Sequence, residues 1–298
     1  MPNFFILLQH CLPQHLLSRL VGRLAESRAL KKPFIRWFAA RYEVDMAEAV
    51  EQDPLVYDNF NAFFTRALRP GARPLAPSVG ESTTVLCPTD GAISQLGPLT
   101  QEGLLQAKGR HFSVADLLAS EHDAERFDGG SFATVYLSPR DYHRVHMPVA
   151  GRLLSMRYVH GDLFSVNKQT AEGVPNLFAR NERLVCLFDT ELGPMAVVLV
   201  GAMIVAGIET VWAGRVGPSN APGRVRETSY ADTVPAIELA AGAELGRFYL
   251  GSTAIVLFGH GAVELSGALT AGTPVRMGQA LATHPSSHPG SGLSSSLI

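Results

Sequence analysis

The stretch that decides the reading of this chain is Gly246–Gly259, GRFYLGSTAIVLFG. Phe248 and Leu250 before its centre, and Ile255, Val256, Leu257 and Phe258 after it, are the apolar, partly β-branched residues of a buried strand. Gly251, Ser252 and Thr253 interrupt that run. Glycine weakens a strand, and a buried hydroxyl must find a partner. One account is a β-bulge at Gly251, with the two hydroxyls bonded to neighbouring carbonyls. A second is a serine nucleophile, although LGST is not the G-x-S-x-G elbow of the α/β-hydrolases.

Around this stretch the chain is a folded, moderately apolar protein of 298 residues, 46% apolar and 17% charged. Its formal net charge of −2 argues against a nucleic-acid binder. The charge is unevenly spread. Residues 1–42 carry Arg19, Arg23, Arg28, Lys31, Lys32, Arg36 and Arg41 against the single acid Glu26, a net of +6. Cys11, Cys87 and Cys186 form no CxxC pair, so neither a zinc site nor a disulfide framework is expected, and a reducing, cytosolic setting fits best.

Short apolar segments punctuated by Gly, Pro, Asp and Asn fill residues 81–283, for example GGSFATVYLSP and AIVLFGHGAVEL. These read as strands and turns. Ahead of them, residues 43–80 read as a helical connector broken at Pro54. Residues 1–42 read as amphipathic helices: Leu16, Leu17, Leu20, Val21 and Leu24 recur at helical spacing, and Phe34, Ile35, Trp37 and Phe38 follow Pro33. Packing on the protein's own core is one use for such faces. Apolar and aromatic residues among many cations also describe helices lying in a membrane interface, where each Lys or Arg near an anionic leaflet contributes roughly 1 kcal/mol. The charge imbalance favours the interface. No apolar run reaches the ~18–20 residues needed to span a bilayer, and the start lacks the marks of a signal peptide. Peripheral attachment on the cytoplasmic side of the cell membrane is expected. The Ser/Pro/Gly tail from 284 to 298 is expected to be disordered. The fold class is therefore α+β: N-terminal amphipathic helices, then a β-rich core of mainly antiparallel sheets.

Two further places could carry chemistry. CPTDGAI holds Asp90-Gly91 between apolar stretches, commonly a hairpin turn. YLSPRDYHRVHMPVAG crowds Arg140, Asp141, His143, Arg144 and His146 into one loop or strand edge. No third ligand of suitable spacing accompanies the two histidines, so a metal is not expected there; a general acid or base is. With them a third account of Gly251-Ser252-Thr253 becomes available. Ser252 Oγ could attack the unhindered carbonyl of Gly251 and turn the amide into an ester. Elimination would then leave a dehydroalanine that hydrolyses to a pyruvoyl group at a new chain terminus. The base would be His146, with Asp90 to orient it, an arrangement recognised by geometry and not by order.

LGST at 250–253, LSPRDYHRVHMP at 137–148, PTDGAISQLG at 88–97, GDLFSVN at 161–167 and PNLFARNER at 175–183 together resemble the bacterial phosphatidylserine decarboxylases, the membrane-associated, pyruvoyl-dependent type. The resemblance runs from the basic helices to VRMGQALA at 275–282. It implies that Asp90, His146 and Ser252 form a self-cleavage triad cutting between Gly251 and Ser252. Ser252 would become the covalent pyruvoyl cofactor, heading a small chain of 47 residues, 252–298, in a heterodimer with the large chain 1–251. The pyruvoyl ketone would form a Schiff base with phosphatidylserine and release CO2, giving phosphatidylethanolamine. His143 is the candidate proton donor. Phe164, Asn167 and Arg180 sit in segments whose mixture of apolar and polar residues suits a lipid headgroup. A higher oligomer is compatible with the sequence. Three rivals make different predictions. A serine hydrolase using Ser252, His146 and Asp90 would stay in one piece, a lipid-binding protein would lack activity, and a pyruvoyl enzyme for a free amino acid would not need the basic front.

Overall fold

The computed structural model describes residues 6–7, 9, 12–28, 31–78, 83–101, 103–203, 207–217, 225–249 and 253–284. Helices dominate its front and antiparallel sheets the remainder, the α+β order expected from the sequence. The helices are α1 (Gln14–Glu26), α2 (Lys31–Tyr42), α3 (Phe60–Phe64), α4 (Val114–Leu118), α5 (Glu121–Glu125), α6 (Lys168–Gly173) and α7 (Leu177–Arg180). The first strands are β1 (Thr84–Leu86), β2 (Gly91–Pro98), β3 (Leu104–Ala107), β4 (Arg110–Phe112), β5 (Ser131–Tyr136) and β6 (Arg144–His146). Then come β7 (Gly151–Val159), β8 (Arg183–Thr190), β9 (Gly193–Val200), β10 (Gly207–Thr210), β11 (Gly214–Val216) and β12 (Val225–Ser229). Last are β13 (Glu238–Leu239), β14 (Glu244–Tyr249), β15 (Thr253–Phe258), β16 (Glu264–Leu265), β17 (Pro274–Val275) and β18 (Ala280–Thr283).

The main sheet follows the order β12-β7-β8-β9-β15-β5-β2-β17, with β13 also paired to β7. A second sheet runs β11-β10-β14-β6, a third β1-β18-β16, and β3 and β4 form a separate ribbon. Gly246–Gly259, read as one strand, is two. β14 belongs to the second sheet, between β10 and β6, whereas β15 lies between β9 and β5 in the main sheet. The chain changes sheets across residues 250–252, which lie outside the described residues.

β15 is buried along its whole length. Ala254, Val256 and Phe258 join one core cluster, while Ile255 and Leu257 join the other. A strand covered on both faces has no polar side to present, so its sequence is an unbroken apolar run. The change of sheets happens twice, side by side. Thr253 of β15 stands opposite Tyr136 at the end of β5, and Arg247 of β14 stands opposite Arg144 at the start of β6. The His-rich loop 137–143 and the segment 250–252 thus connect the same two pairs of strands.

At the front, α2 begins two residues before Pro33. The first turn tolerates proline because its N–H groups have no intrahelical partner. Ile35 and Phe38 of this helix pack with Phe60, Phe63 and Phe64 of α3 in an aromatic cluster. Among the described residues of the connector 43–80, expected to be helical, the short α3 is the only helix. Around it Asp45 and Asp53 accept the backbone N–H groups of Ala47 and Leu55, at 2.8 and 2.9 Å. Such local bonds offer the backbone an alternative to a helix.

The leucines of α1 point mostly away from the protein. Gln14, Ser18, Gly22 and Ala25 form its buried side, and Leu16, Leu20 and Leu24 are about half exposed. At the other end, His284 is still tied in. Its N–H donates to Thr83 and its Nδ1 bonds to the Ala262 carbonyl. The remainder of the tail expected to be disordered, 285–298, lies outside the described residues.

Candidate active site

Asp90 does not cap a hairpin. β1 pairs with β18 and β2 with β5 and β17, so Asp90-Gly91 is the entry of β2 into the main sheet. Gly91 is there because β2 comes very close to β5: a Cβ at this position would lie 2.2 Å from the Tyr136 carbonyl oxygen. Across the sheet, Ala92, Tyr136 and Thr253 stand in one row. In the chain, Asp90 comes two residues before Ala92 of that row and Ser252 one residue before Thr253.

The Asp90 carboxylate is buried and firmly held. Arg73 Nε donates to Oδ1 and Oδ2 at 2.9 and 3.1 Å, and the Met277 N–H donates to Oδ1 at 2.9 Å. Arg73 Nη2 also reaches Glu48 at 2.7 Å, and Glu48 in turn bonds Arg276 at 2.9 Å. Burial works against the Arg73 charge, but the bonds to Asp90 and Glu48 outweigh it and raise its pKa. The bond from Arg73 is the chief cause holding the Glu48 pKa below the ordinary carboxylate value.

His146, at the end of β6, lies beside the same segment: its backbone N–H donates to the Pro88 carbonyl, and Thr89 Oγ1 donates to the Arg144 carbonyl. Its ring is mostly buried. Nδ1 lies 2.9 Å from the Gly242 carbonyl, so Nδ1 carries the proton and Nε2 the lone pair. That lone pair faces the Tyr142 hydroxyl at 3.1 Å. Gly242 has φ +75°, in the left-handed region that glycine enters without strain. Burial is the main cause lowering the His146 pKa, and it pushes the Tyr142 hydroxyl up to about 12. The neutral imidazole is therefore the stable form at neutral pH.

The expected arrangement is joined only in part. Asp90 and His146 flank one backbone segment, but the carboxylate bonds Arg73 and the imidazole bonds Gly242 and Tyr142. A cation from the front segment competes for the carboxylate that was expected to orient the histidine. Gly251 and Ser252 lie outside the described residues. Their neighbour Thr253 is fully buried, and its Oγ1 has no hydrogen-bond partner among the described residues.

His143 is 1% exposed, with its ring against Phe64 at 3.9 Å between centroids and Nδ1 2.8 Å from the Asp141 carbonyl. Its own carbonyl accepts the Phe248 N–H at 3.0 Å, which ties the loop to the end of β14. The charged residues of the loop are mostly structural. Asp141 accepts the Ser138 N–H, and Arg144 bonds the Thr65 carbonyl and Glu244. A cleft of about 640 Å³ opens beside Arg73, Asp90, Tyr136, Arg140 and Tyr142. A more apolar cavity of about 370 Å³ lies past Ala92 and Tyr136, with Val166 and Asn167 in its wall.

Of the headgroup candidates, Asn167 lines the apolar cavity and caps α6 through Thr170, whereas Phe164 and Arg180 line a separate cleft of about 320 Å³ beside the start of α1. Phe164 is buried beneath the Arg180 guanidinium, which pairs with Asp162. Sequence reasoning missed Arg73 and Tyr142. Tyr142 was visible within the His-rich run, but Arg73 was hidden in the Pro/Gly-rich RPGARPLAP, which reads as a boundary.

Residues 60–283 match the family model described as phosphatidylserine decarboxylase, and residues 4–43 match a second model described as PSD. The chain belongs to the phosphatidylserine decarboxylase family. Among its curated relatives, a phosphatidylserine decarboxylase proenzyme of Ectopseudomonas mendocina is 62% identical over 94% of this chain and 97% of that relative. Proenzymes of the same name from Pseudomonas aeruginosa and Pseudomonas putida are 61% and 60% identical, again over 94% of this chain and 96% and 97% of theirs. The main match to the phosphatidylserine decarboxylase family encloses Asp90, His143, His146 and the LGST segment, and the second covers the basic front.

Proposed function

We propose that this protein is a proenzyme that cuts itself between Gly251 and Ser252 and then decarboxylates phosphatidylserine to phosphatidylethanolamine. The observation that carries the proposal is the near-full-length similarity to relatives named phosphatidylserine decarboxylase proenzyme. The geometry around the LGST segment supports it. Both flanks of 250–252 are anchored to the ends of the His-rich loop.

In the cut, His146 Nε2 takes the proton of Ser252 Oγ as that oxygen bonds to the Gly251 carbonyl carbon. The amide C–N bond then breaks, with the proton passing to nitrogen, and an ester remains. Loss of the Ser252 α-proton expels Gly251 as a carboxylate, and water releases the former amide nitrogen as ammonia. The Gly242 carbonyl keeps the His146 proton on Nδ1, so Nε2 is the basic atom. Asp90, fixed by Arg73, supplies a negative field to the imidazolium that forms. Tyr142 must swing off Nε2 for the transfer.

The donor set suits a pyruvoyl group at residue 252. Thr253, next in the chain, has a buried hydroxyl without a partner among the described residues, and His143 and Tyr142 are buried in the run that follows β5, the strand paired with β15. That group supplies the electron sink for the carbanion left when CO2 departs. His143 returns a proton to the α-carbon.

The protein attaches peripherally to the cytoplasmic face of the cell membrane through residues 1–42. Exposed Leu16, Leu20, Leu24 and Trp37 beside exposed Arg19, Arg23, Lys32 and Arg36 support this. Among the described residues, no helix is long and apolar enough to cross a bilayer. The fragments 1–251 and 252–298 remain together as a heterodimer, because β15 is the centre of the main sheet. On a denaturing gel the purified protein should give two bands, and Ser252→Ala one. A single wild-type band that still releases CO2 from phosphatidylserine would overturn the self-cleavage.

A further inference from the structure

Away from the candidate active site, His15, His160 and Glu182 converge where the N-terminal helix meets the β core. Val159 of β7 stands opposite Arg183 of β8, so the next pair outward on the two strands is His160 and Glu182. Helix α1 reaches over them. Gln14 is buried and its Oε1 accepts the Leu163 N–H at 2.6 Å, which fixes the neighbouring His15 at the strand ends. The two imidazoles stack with centroids 4.7 Å apart, at 23°. Among the described residues neither ring makes a hydrogen bond to another group.

Glu182 is 4% exposed, and its Oε2 has no hydrogen-bond partner among the described residues. A buried carboxylate oxygen without a donor is costly unless a cation satisfies it. Burial raises this carboxyl to about pH 6, with Tyr158 and Arg19 acting in the opposite direction. One ligand atom from each of the three residues lies within 4.8 Å of the others. Two nitrogens and a carboxylate oxygen at ~2.0–2.2 Å from one ion are the donor set of a three-ligand zinc site, which leaves a fourth position for water. Such ligands sit ~3.3 Å apart on a tetrahedral ion. To bind one ion the two imidazoles, both partly exposed, must rotate to close the difference.

We infer that His15, His160 and Glu182 bind a divalent transition metal, zinc by preference, which pins α1 to the ends of β7 and β8. The site is separate from the His-rich loop and has no part in the decarboxylation proposed above.

The test uses the full-length protein, stripped with a chelator and titrated with Zn2+ at neutral pH. One saturable equivalent is expected, and Co2+ in its place should give the visible absorption of a four-coordinate ion. Glu182→Gln, close in shape to the native residue, and His160→Asn should each weaken uptake at least ~10-fold while near-ultraviolet circular dichroism stays native. In the unmutated protein, Zn2+ should protect His15 and His160, and not His143 or His146, from diethylpyrocarbonate, as mapped by peptide mass. That measurement does not depend on any variant folding. Absence of saturable uptake, uptake unchanged in both variants, or protection confined to other histidines would each overturn the inference.

Discussion

Arg73 grips both carboxylate oxygens of Asp90, although the two residues come from different parts of the fold. The arginine belongs to the Pro-rich segment that leads out of the helical front, and the aspartate opens a strand of the main sheet. Both side chains are more than nine-tenths buried. Arg73→Ala therefore leaves Asp90 charged, buried and held by one backbone N–H. Breaking a buried pair from one side costs about 3–5 kcal/mol. Denaturant unfolding of a Ser252→Ala background, which stays in one piece, should show a loss of that size. The same substitution in the native sequence should slow processing, and unchanged processing would separate Asp90's setting from the cut.

His143 ends the loop before β6 and His146 ends that strand, and the two are assigned different work. His143→Ala should leave two bands on a denaturing gel while lowering turnover of phosphatidylserine by ~10²–10⁴-fold, the usual contribution of a positioned acid or base. Normal turnover would remove His143 from the mechanism. Loss of cleavage would move it into the first reaction.

The pKa of His146 is lowered, mainly by burial. A base with a lowered pKa keeps its lone pair at acidities that protonate an ordinary imidazole, near pH 6.5. Freshly translated precursor, shifted across pH values, should fall to half its neutral cleavage rate only below pH 6.5. The same sign applies to stability. The unfolded chain takes up this proton first, so the contribution present above pH ~6.5 is lost as pH falls toward the folded value. Cleavage that halves above pH 6.5 would contradict His146 as the base in this setting.

Membrane attachment should depend on both charge and apolar contact. Raising ionic strength should weaken sedimentation with vesicles containing anionic lipid, and deletion of residues 1–42 should abolish it. Replacing Leu16, Leu20 and Leu24 together by Ser should weaken binding without disturbing the fold, since these side chains face outward. If the truncated protein still sediments, attachment lies elsewhere.

Much of this fold is legible in the sequence because local pattern and burial agree. AIVLF is apolar throughout because β15 is covered on both faces, and the basic, leucine-bearing front is helical as its spacing predicts. The connector misleads because Asp45 and Asp53 turn the chain with local side-chain bonds that periodicity does not register. In the site, histidines crowded into one short run are visible to inspection. The Arg73–Asp90 and His146–Gly242 contacts are not, because they join residues 17 and 96 positions apart. Within PNLFARNER, which suggests a binding surface, Asn181 and Arg183 hold the fold together. Asn181 bonds the carbonyls of Phe164 and Gly201, and buried Arg183 bonds the carbonyls of Leu117 and Asn181.

The most direct test of self-cleavage to a pyruvoyl terminus is the intact mass of the purified protein under denaturing conditions, before and after borohydride reduction in the presence of an amine. Two species should appear, corresponding to residues 1–251 and 252–298. The smaller should be lighter than its serine-terminated form by one ammonia and should gain the amine on reduction. A single full-length mass, or a small fragment that retains an ordinary serine terminus, in a preparation that still decarboxylates phosphatidylserine would contradict the account.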